Sequence, residues 1–230
     1  MIYFIIFCII IIILFTFTYD IESFDYPPLD NYVDIIYYIN LDHREDRNTQ
    51  FLAQMDSVGI SHNNIQRIAG IYEKGRGHIG CSKSHIKTLK TFLETSYKNC
   101  IIFEDDFEWT TSPNSVFAEF FKEDIKYDIC MLSGSYGDYE NTKYTFLRKP
   151  KGAQTTSGYM ITRDFASILL KNFEESLPLL EQRYDHSKYA IDQYWKKLQP
   201  LCDWYIFHPK LGKQISNVSD IQGGYVEMVI

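Results

Sequence analysis

Apolar and polar runs alternate along the chain at spacings typical of short strands and longer helices. The segments 33–39, 99–104 and 202–207 are largely apolar and have the length of a buried strand. The segments 44–59 and 79–95 instead carry apolar side chains three and four residues apart, which predicts amphipathic helices. Strands and helices therefore alternate from the first third of the chain onward.

The rest of the chain continues this alternation. Strands are predicted at 65–69, 127–133 and 156–162, helices at 113–122, 163–173 and 190–198, and an irregular polar tail after 208. Apolar strands that alternate with helices favour an α/β fold, with a mostly parallel sheet covered by helices on both faces. In such sheets ligands bind beyond the carboxyl ends of the strands.

The first residues differ from everything that follows. Residues 2–19 carry no charge, and as a helix they would reach about 27 Å, the thickness of a bilayer core. A basic start and a small-residue cleavage site are absent, so we expect an uncleaved single-pass anchor over 1–19. A linker over 20–31 and a single domain over 32–230 follow. The terminal amine favours a cytoplasmic short end.

Charge and cysteine content narrow the function classes. The net charge is −7 and no basic stripe is present, which argues against a nucleic-acid partner. A negatively charged ligand would need a local cationic group or a metal ion. Four cysteines lie outside the anchor without any C-x-x-C pair, which argues against a zinc site. Cys100 and Cys130 lie in apolar runs and are predicted core residues, and disulfide pairing stays open.

The acidic triplet Glu104-Asp105-Asp106 directly follows an apolar strand. Strand alternation predicts that Glu104 and Asp106 share one side while Asp105 points elsewhere. Two carboxylates at a strand end could hold a hard divalent cation, which would neutralise a diphosphate leaving group. The alternatives are a solvated acidic turn and a glycosidase, which needs a second carboxyl across a sugar.

Several blocks of sequence, in order along the chain, resemble glycosyltransferase family 25, which includes lipopolysaccharide sugar transferases and collagen galactosyltransferases. These blocks are YYINLDHREDR (37–47), GHIGCSKSHIKTLK (77–90), IIFEDDF (101–107), SGYMITRDFASILL (157–170), IDQYWKKL (191–198) and QISNVSDI (214–221). The resemblance implies a GT-A fold, a nucleotide-sugar donor such as UDP-galactose, a divalent metal, typically Mn²⁺, and inversion at the sugar carbon. The chain lacks the flanking domains of the collagen enzymes, which weakens a collagen acceptor.

The resemblance also implies roles for residues of the first three blocks. Asp106 becomes the expected metal ligand and a catalytic residue, with Glu104 as a second ligand and Asp105 at metal or ribose. The expected donor-binding residues are Asn40, Arg44, Arg47, Gly80, Ser84 and His85. Guanidinium groups suit phosphate oxygens, but surface ion pairs with nearby acids would equally explain both arginines. A helix cap and a buried structural histidine would equally explain Ser84 and His85.

An inverting transferase needs a base that takes the proton of the acceptor hydroxyl. Asp192 is the first candidate and Asp138 the reserve, although an acid at a helix start is also common without catalysis. His208 is a further metal-ligand candidate. The resemblance alone suggests that a tail containing Gln214, Ser219 and Asp220 closes over the donor.

We therefore expect a membrane-anchored, metal-dependent transferase that moves a hexose from a nucleotide sugar to a hydroxyl acceptor on a glycan, a lipid-linked glycan or a protein. The alternative is a non-catalytic, membrane-tethered binding module on a degenerate transferase fold.

Overall fold

A computed structural model of the 230-residue chain describes residues 26–215 in full, together with the backbone of 217–219 and 224–226. The expected anchor over 1–19 lies outside the described residues. Within the described part of the chain, none of the helices combines the length and the apolar character needed to cross a membrane.

Eight strands form one sheet, and four short strands form two separate ladders. The strands are β1 (Ile36–Asn40), β2 (Ile65–Ala69), β3 (Asn99–Glu104), β4 (Phe107–Trp109), β5 (Ile129–Met131), β6 (Asp138–Asn141), β7 (Leu147–Lys151), β8 (Gly158–Thr162), β9 (Trp204–Phe207), β10 (Gly212–Gln214), β11 (Asn217–Ser219) and β12 (Gly224–Val226). The main sheet has the order β2-β1-β3-β8-β5-β9-β7-β6. Six of its strands point one way, and β7 and β8 run against them. The predicted α/β class and the mostly parallel strand direction are confirmed. Adjacent strands nonetheless form both parallel and antiparallel pairs, because β7 and β8 are placed between strands of the other direction.

The described helices connect these strands. They are α1 (Glu45–Ser57), α2 (Gly77–Leu93), α3 (Asn114–Lys122), α4 (Arg163–Arg183), α5 (His186–Tyr189) and α6 (Ile191–Tyr194). The first three match their predicted bounds to within two residues. Helix α4 continues ten residues beyond the predicted end at 173, because buried Ser176 and Leu180 extend its inner face. The predicted helix over 190–198 divides into α6 and a 3₁₀ turn at Trp195–Lys197.

Both faces of the main sheet are covered. Tyr37 points to one side, where Tyr159 and Trp195 pack in a cluster that includes residues of α2 and α4. Its neighbour Tyr38 points to the other side and stacks on Phe51 of α1 at a ring-centroid distance of 4.5 Å. Successive residues of a strand face opposite ways, so the continuous apolar run of β1 supplies both cores. This arrangement leaves the strand ends as the open part of the sheet.

The described part of the chain after 208 contains regular strands, which corrects the sequence prediction of an irregular tail. Strand β10 pairs antiparallel with β4, with Gly212 opposite Trp109 and Gln214 opposite Phe107. The Ile215 amide then donates to the Asp106 carbonyl at 2.7 Å. Three-residue strands are too short to show a period of two in the sequence, so only the fold reveals this pairing. It brings the late part of the chain against the acidic triplet.

Gly212 is where this pairing is tightest. A Cβ at position 212 would overlap the ring of Phe107 and lie 2.9 Å from the Glu108 carbonyl oxygen. We expect Gly212→Ala to lower the free energy of unfolding by about 1–3 kcal/mol, the usual cost of overpacking. Chemical denaturation measures the change. Gly137→Ala is the control, because a Cβ there meets nothing within 4 Å. Equal midpoints for the two variants would contradict the tight approach.

Candidate functional site

A cleft opens where β1 and β3 end, at the carboxyl side of the parallel strands. Its volume is about 660 Å³, including the open mouth. The inner wall is formed by the acidic triplet and by α2, and apolar side chains of 39, 41 and 71 line another part. The cleft lies where the strand-end rule predicts a ligand site.

Arg47 ties the triplet to α1. Its Nη1 donates to Asp105 Oδ1 at 3.0 Å and lies 3.4 Å from Asp106 Oδ2. Asn40, at the end of β1, donates through Nδ2 to Asp105 Oδ2 at 2.7 Å. All four side chains are buried. Arg47 therefore forms a buried ion pair with the triplet, which differs from the surface ion pair that the sequence left open as an alternative.

The triplet does not alternate as a strand would. Strand β3 ends at Glu104, and the chain turns at Asp105 and Asp106 before β4 begins. As a result Asp105 and Asp106 share Arg47, while Glu104 points towards α2. All three carboxylates nonetheless line the cleft. The predicted separation of Asp105 from the other two is wrong, because the period of two stops where the strand stops.

Glu104 is held by the side chains of His85 and Thr156. Its Oε1 lies 3.2 Å from His85 Nε2 and accepts the hydroxyl of Thr156. The other ring nitrogen of His85, Nδ1, lies 3.0 Å from Tyr159 Oη. Burial by itself raises the pKa of Glu104, but the hydrogen bonds and charge of His85, with Thr156 and Arg47, outweigh it. The net pKa is below the usual value, so Glu104 stays ionised.

The pKa of Asp106 is shifted in the opposite direction from that of Glu104. Burial, together with the charges of Glu104 and Asp105, raises its pKa from 3.8 to about 7. Its Oδ2 accepts Gln214 Nε2 at 3.0 Å, whereas Oδ1 is buried and has no hydrogen-bond partner in the described part of the chain. An unpartnered buried carboxylate oxygen facing acids fits a hard divalent cation, which takes oxygen ligands.

Asp192 reaches this site although it lies 86 positions after Asp106 in the sequence. Its Oδ2 accepts the Thr155 amide at 3.1 Å, and the next residue, Thr156, donates to Glu104. Burial raises the pKa of Asp192, and the charge of Glu104 adds to this rise. The segment Thr155–Thr156 thus connects the candidate base to the triplet, beside the cleft rather than in its wall.

The remaining predicted donor residues have internal partners. The guanidinium of Arg44 pairs with Asp46 at 2.8 Å at the start of α1. Ser84 Oγ accepts the Ile71 amide at 2.8 Å and donates to the Gly80 carbonyl at 2.7 Å. A Cβ at Gly80 would overlap the Ile71 carbonyl oxygen, so this glycine allows α2 to approach residues 71–73. Ser84 and His85 still line the cleft.

Other candidates lie elsewhere. Asp138 is exposed on β6, the edge strand, and pairs with Lys151 at 3.4 Å. His208 contacts Tyr136 and Tyr139, and it is not among the described residues that line the cleft. Ser219 is described only as backbone, and Asp220 lies outside the described residues.

Three residues of the site went unnoticed in the sequence: Cys81, Thr156 and Tyr159. Cys81 and His85 stand four residues apart on α2, which places them on one face of the helix. That spacing is a signal the sequence contained. Thr156 and Tyr159 carry no such signal, since only the antiparallel pairing of β8 with β3 brings Thr156 to Glu104 and Tyr159 to His85.

Comparisons with known proteins give no family. Family models and curated protein sequences both fail to match the chain. Among solved structures, a glycosyltransferase involved in the glycosylation of the major capsid of PBCV-1 matches with a TM-score of 0.47 and 10% identity, over 81% of this chain and 94% of that one. A197 from STIV matches with a TM-score of 0.43 and 13% identity, over 75% and 80%. Both scores lie below 0.5.

The raised pKa of Asp106 predicts a pH-dependent stability. In metal-free protein the folded state holds a proton on Asp106 that the unfolded chain lacks above pH about 4. The stability gained in this way is lost as the pH rises through about 7. Asp106→Asn removes the ionisation. The melting temperature of this variant minus that of the wild type should therefore increase as the pH rises from 5 to 8.

Thermal unfolding with a chelator present measures this difference. Asp138→Asn, at an exposed position, is the matched control, and its difference in melting temperature from the wild type should not increase with pH. A difference for Asp106→Asn that stays flat or shrinks over the same range would contradict the buried, charge-crowded environment of Asp106.

Proposed function

We propose that this chain is a metal-dependent, inverting glycosyltransferase that moves a hexose from a nucleotide sugar, UDP-galactose in the first instance, to a hydroxyl acceptor. The observation that carries the proposal is the charge of the cleft. Four of the described residues that line it carry carboxyl groups (Glu73, Glu104, Asp105 and Asp106), and one, Arg47, carries a guanidinium. Glu73 is paired with Lys83 at 2.6 Å, so the three carboxyl groups of the triplet share the charge of Arg47. A diphosphate would be repelled from this wall unless a cation lay between them.

Asp106 is the proposed principal ligand of that cation, through the buried oxygen that has no hydrogen-bond partner among the described residues, with Glu104 beside it. Oxygen ligands suit Mn²⁺ and Mg²⁺. Such an ion, when bound, stabilises the charge on the departing nucleoside diphosphate. Arg47 would keep Asp105 in place and present its guanidinium towards the phosphate side of the cleft.

The outer part of the cleft suits a nucleobase. Leu41 and Ile71 line it, and the ring of Tyr72 is half exposed there with an exposed fraction of 52%. An exposed aromatic ring at the mouth of a polar cleft offers a flat apolar surface for a base. The acidic inner wall, with a bound cation, would take a diphosphate, and the apolar mouth would take an uncharged ring. A nucleoside diphosphate has both parts.

Asp192 is the proposed general base. The acceptor oxygen would attack the anomeric carbon from the face opposite the diphosphate, and the Asp192 carboxylate would take the hydroxyl proton as the carbon–phosphate-oxygen bond breaks. Its raised pKa brings the basicity of this carboxylate closer to neutral pH, which favours proton transfer. The Thr155 amide fixes its orientation.

The acceptor class and the location are part of the proposal. Residues 2–19 would anchor the enzyme, so that the cleft works at a membrane surface on a glycan, lipid-linked glycan or protein. The finer family assignment, to family 25, rests on the six blocks of resemblance.

Binding tests the donor and the metal together. We expect isothermal titration calorimetry of the wild-type chain to detect UDP in the presence of Mn²⁺, and much weaker binding with a chelator. Asp106→Ala should reduce Mn²⁺-dependent binding below detection, because its orphan oxygen is the proposed ligand. Asp138→Ala, an exposed aspartate on the edge strand, should bind as wild type. Absence of both UDP and Mn²⁺ binding in the wild type would contradict the enzyme and favour a non-catalytic module.

The role of Asp192 is tested by turnover. A screen of UDP-hexoses for Mn²⁺-dependent hydrolysis or transfer supplies the assay. Asp192→Asn should lower the transfer rate by about 10²–10⁴-fold, the usual contribution of a general base, while UDP affinity stays unchanged. Asp138→Asn serves again as the control. Unchanged transfer by Asp192→Asn would remove it from the mechanism.

A further inference from the structure

Three side chains of different chemistry meet at the inner end of the cleft: Cys81, His85 and Glu104. Their potential ligand atoms all lie within 4.8 Å of one another. Cys81 and His85 come from the same face of α2, one helical turn apart, and Glu104 ends β3. All three line the cleft. A thiol, an imidazole and a carboxylate at such distances are the usual protein ligands of zinc.

The distances fit a small ion. Glu104 Oε1 lies 3.2 Å from His85 Nε2 and 4.0 Å from Cys81 Sγ. Bonds of about 2.0–2.1 Å to oxygen and nitrogen and about 2.3 Å to sulfur, at tetrahedral angles, separate such atoms by roughly 3.3–3.5 Å. The His85–Glu104 separation already matches, the Cys81–Glu104 separation is about half an ångström longer, and the Cys81 and His85 ligand atoms lie within 4.8 Å of each other. Rotation of the side-chain torsions can bring the three groups onto one ion.

His85 and Glu104 each have a hydrogen-bond partner outside the cluster of three, as metal-binding side chains usually do. His85 is fully buried, and its Nδ1 lies 3.0 Å from Tyr159 Oη, which leaves Nε2 directed at the site. Thr156 donates its hydroxyl to Glu104. Metal-bound histidines usually hydrogen-bond through their second nitrogen, and bound carboxylates are themselves hydrogen-bonded. Tyr159 and Thr156 would serve as these outer partners.

We propose that Cys81, His85 and Glu104 bind a divalent zinc ion and leave its fourth position open to the cleft. On binding, the Cys81 thiol releases its proton to solvent and coordinates as the thiolate, while His85 binds through Nε2. Glu104 is shared with the hard-cation site proposed at Asp106, but the two sites differ in chemistry, because a thiolate and an imidazole select zinc over Mn²⁺ and Mg²⁺. The zinc proposal does not depend on the proposed transferase function, since Asp106 is not one of its ligands.

Cobalt replaces zinc as a coloured probe. The full chain is purified in mild detergent with a tag that does not bind metal, stripped with chelator and titrated with Co²⁺. We expect saturation at one ion per chain, with thiolate-to-cobalt charge-transfer absorption in the near ultraviolet and d–d bands of tetrahedral intensity. Added Zn²⁺ should bleach both.

Variants assign the ligands. Cys81→Ser should abolish the charge-transfer absorption, and His85→Asn should weaken Co²⁺ binding at least tenfold. Cys202→Ser is the matched control, since Cys202 is a partly buried thiol that does not line this cleft, and it should keep the full absorption. Circular dichroism checks that each variant is folded. Absorption that survives Cys81→Ser, or that is lost in Cys202→Ser, would overturn the assignment.

X-ray absorption at the zinc edge of the wild-type chain needs no variant. One sulfur at about 2.3 Å, with nitrogen and oxygen at about 2.0–2.1 Å, is the expected shell. A shell of oxygen and nitrogen alone, or no stoichiometric metal uptake, would show that the three side chains form a hydrogen-bonded network only. Failure of UDP and Mn²⁺ binding at Asp106 would leave these results unaffected, so the two proposals fail separately.

Discussion

The buried guanidinium of Arg47 is the interaction on which the site depends. Three successive carboxylates at the end of β3 repel one another, and Asp105 and Asp106 are both buried. Arg47 contacts both of them, and Asn40 satisfies the second oxygen of Asp105. Loss of one partner of such a buried pair typically costs about 3–5 kcal/mol, because a charge is left uncompensated. The contacts join α1, β1 and β3, so the site can form only when these elements are packed.

The fold consequently gives the carboxylates of the triplet different properties. Glu104 is kept ionised by His85, Thr156 and Arg47, whereas burial and its acidic neighbours raise the pKa of Asp106 to about 7. Burial leaves one oxygen of Asp106 without a hydrogen-bond partner among the described residues, and burial is also the largest cause of its raised pKa. A cation supplies what this group lacks. The same reasoning connects the stability of the folded chain with its proposed donor chemistry.

Helix α2 contributes to the site through a face that is buried although several of its side chains are polar. Ser84, His85 and Thr88 are buried together with Ile86 and Leu89. Gly80 lets this helix approach the chain at Ile71, and Ser84 bonds the Ile71 amide. This close approach sets the depth at which Cys81 and His85 meet Glu104. Hydrogen bonds offset the cost of burying the polar face, and the same face becomes a source of metal ligands.

The sequence by itself determined the elements and the location of the site. Continuous apolar runs predicted β1 and β3, helical spacing predicted α1 and α2, and the strand-end rule placed Asn40 beside the triplet, because period and strand direction are local properties. Only the tertiary structure decided which side chains meet. The pairing of β8 with β3 and the β4–β10 ladder are non-local, and they bring Thr156 to Glu104 and Gln214 to Asp106. No local period encodes contacts between residues 52 and 108 positions apart.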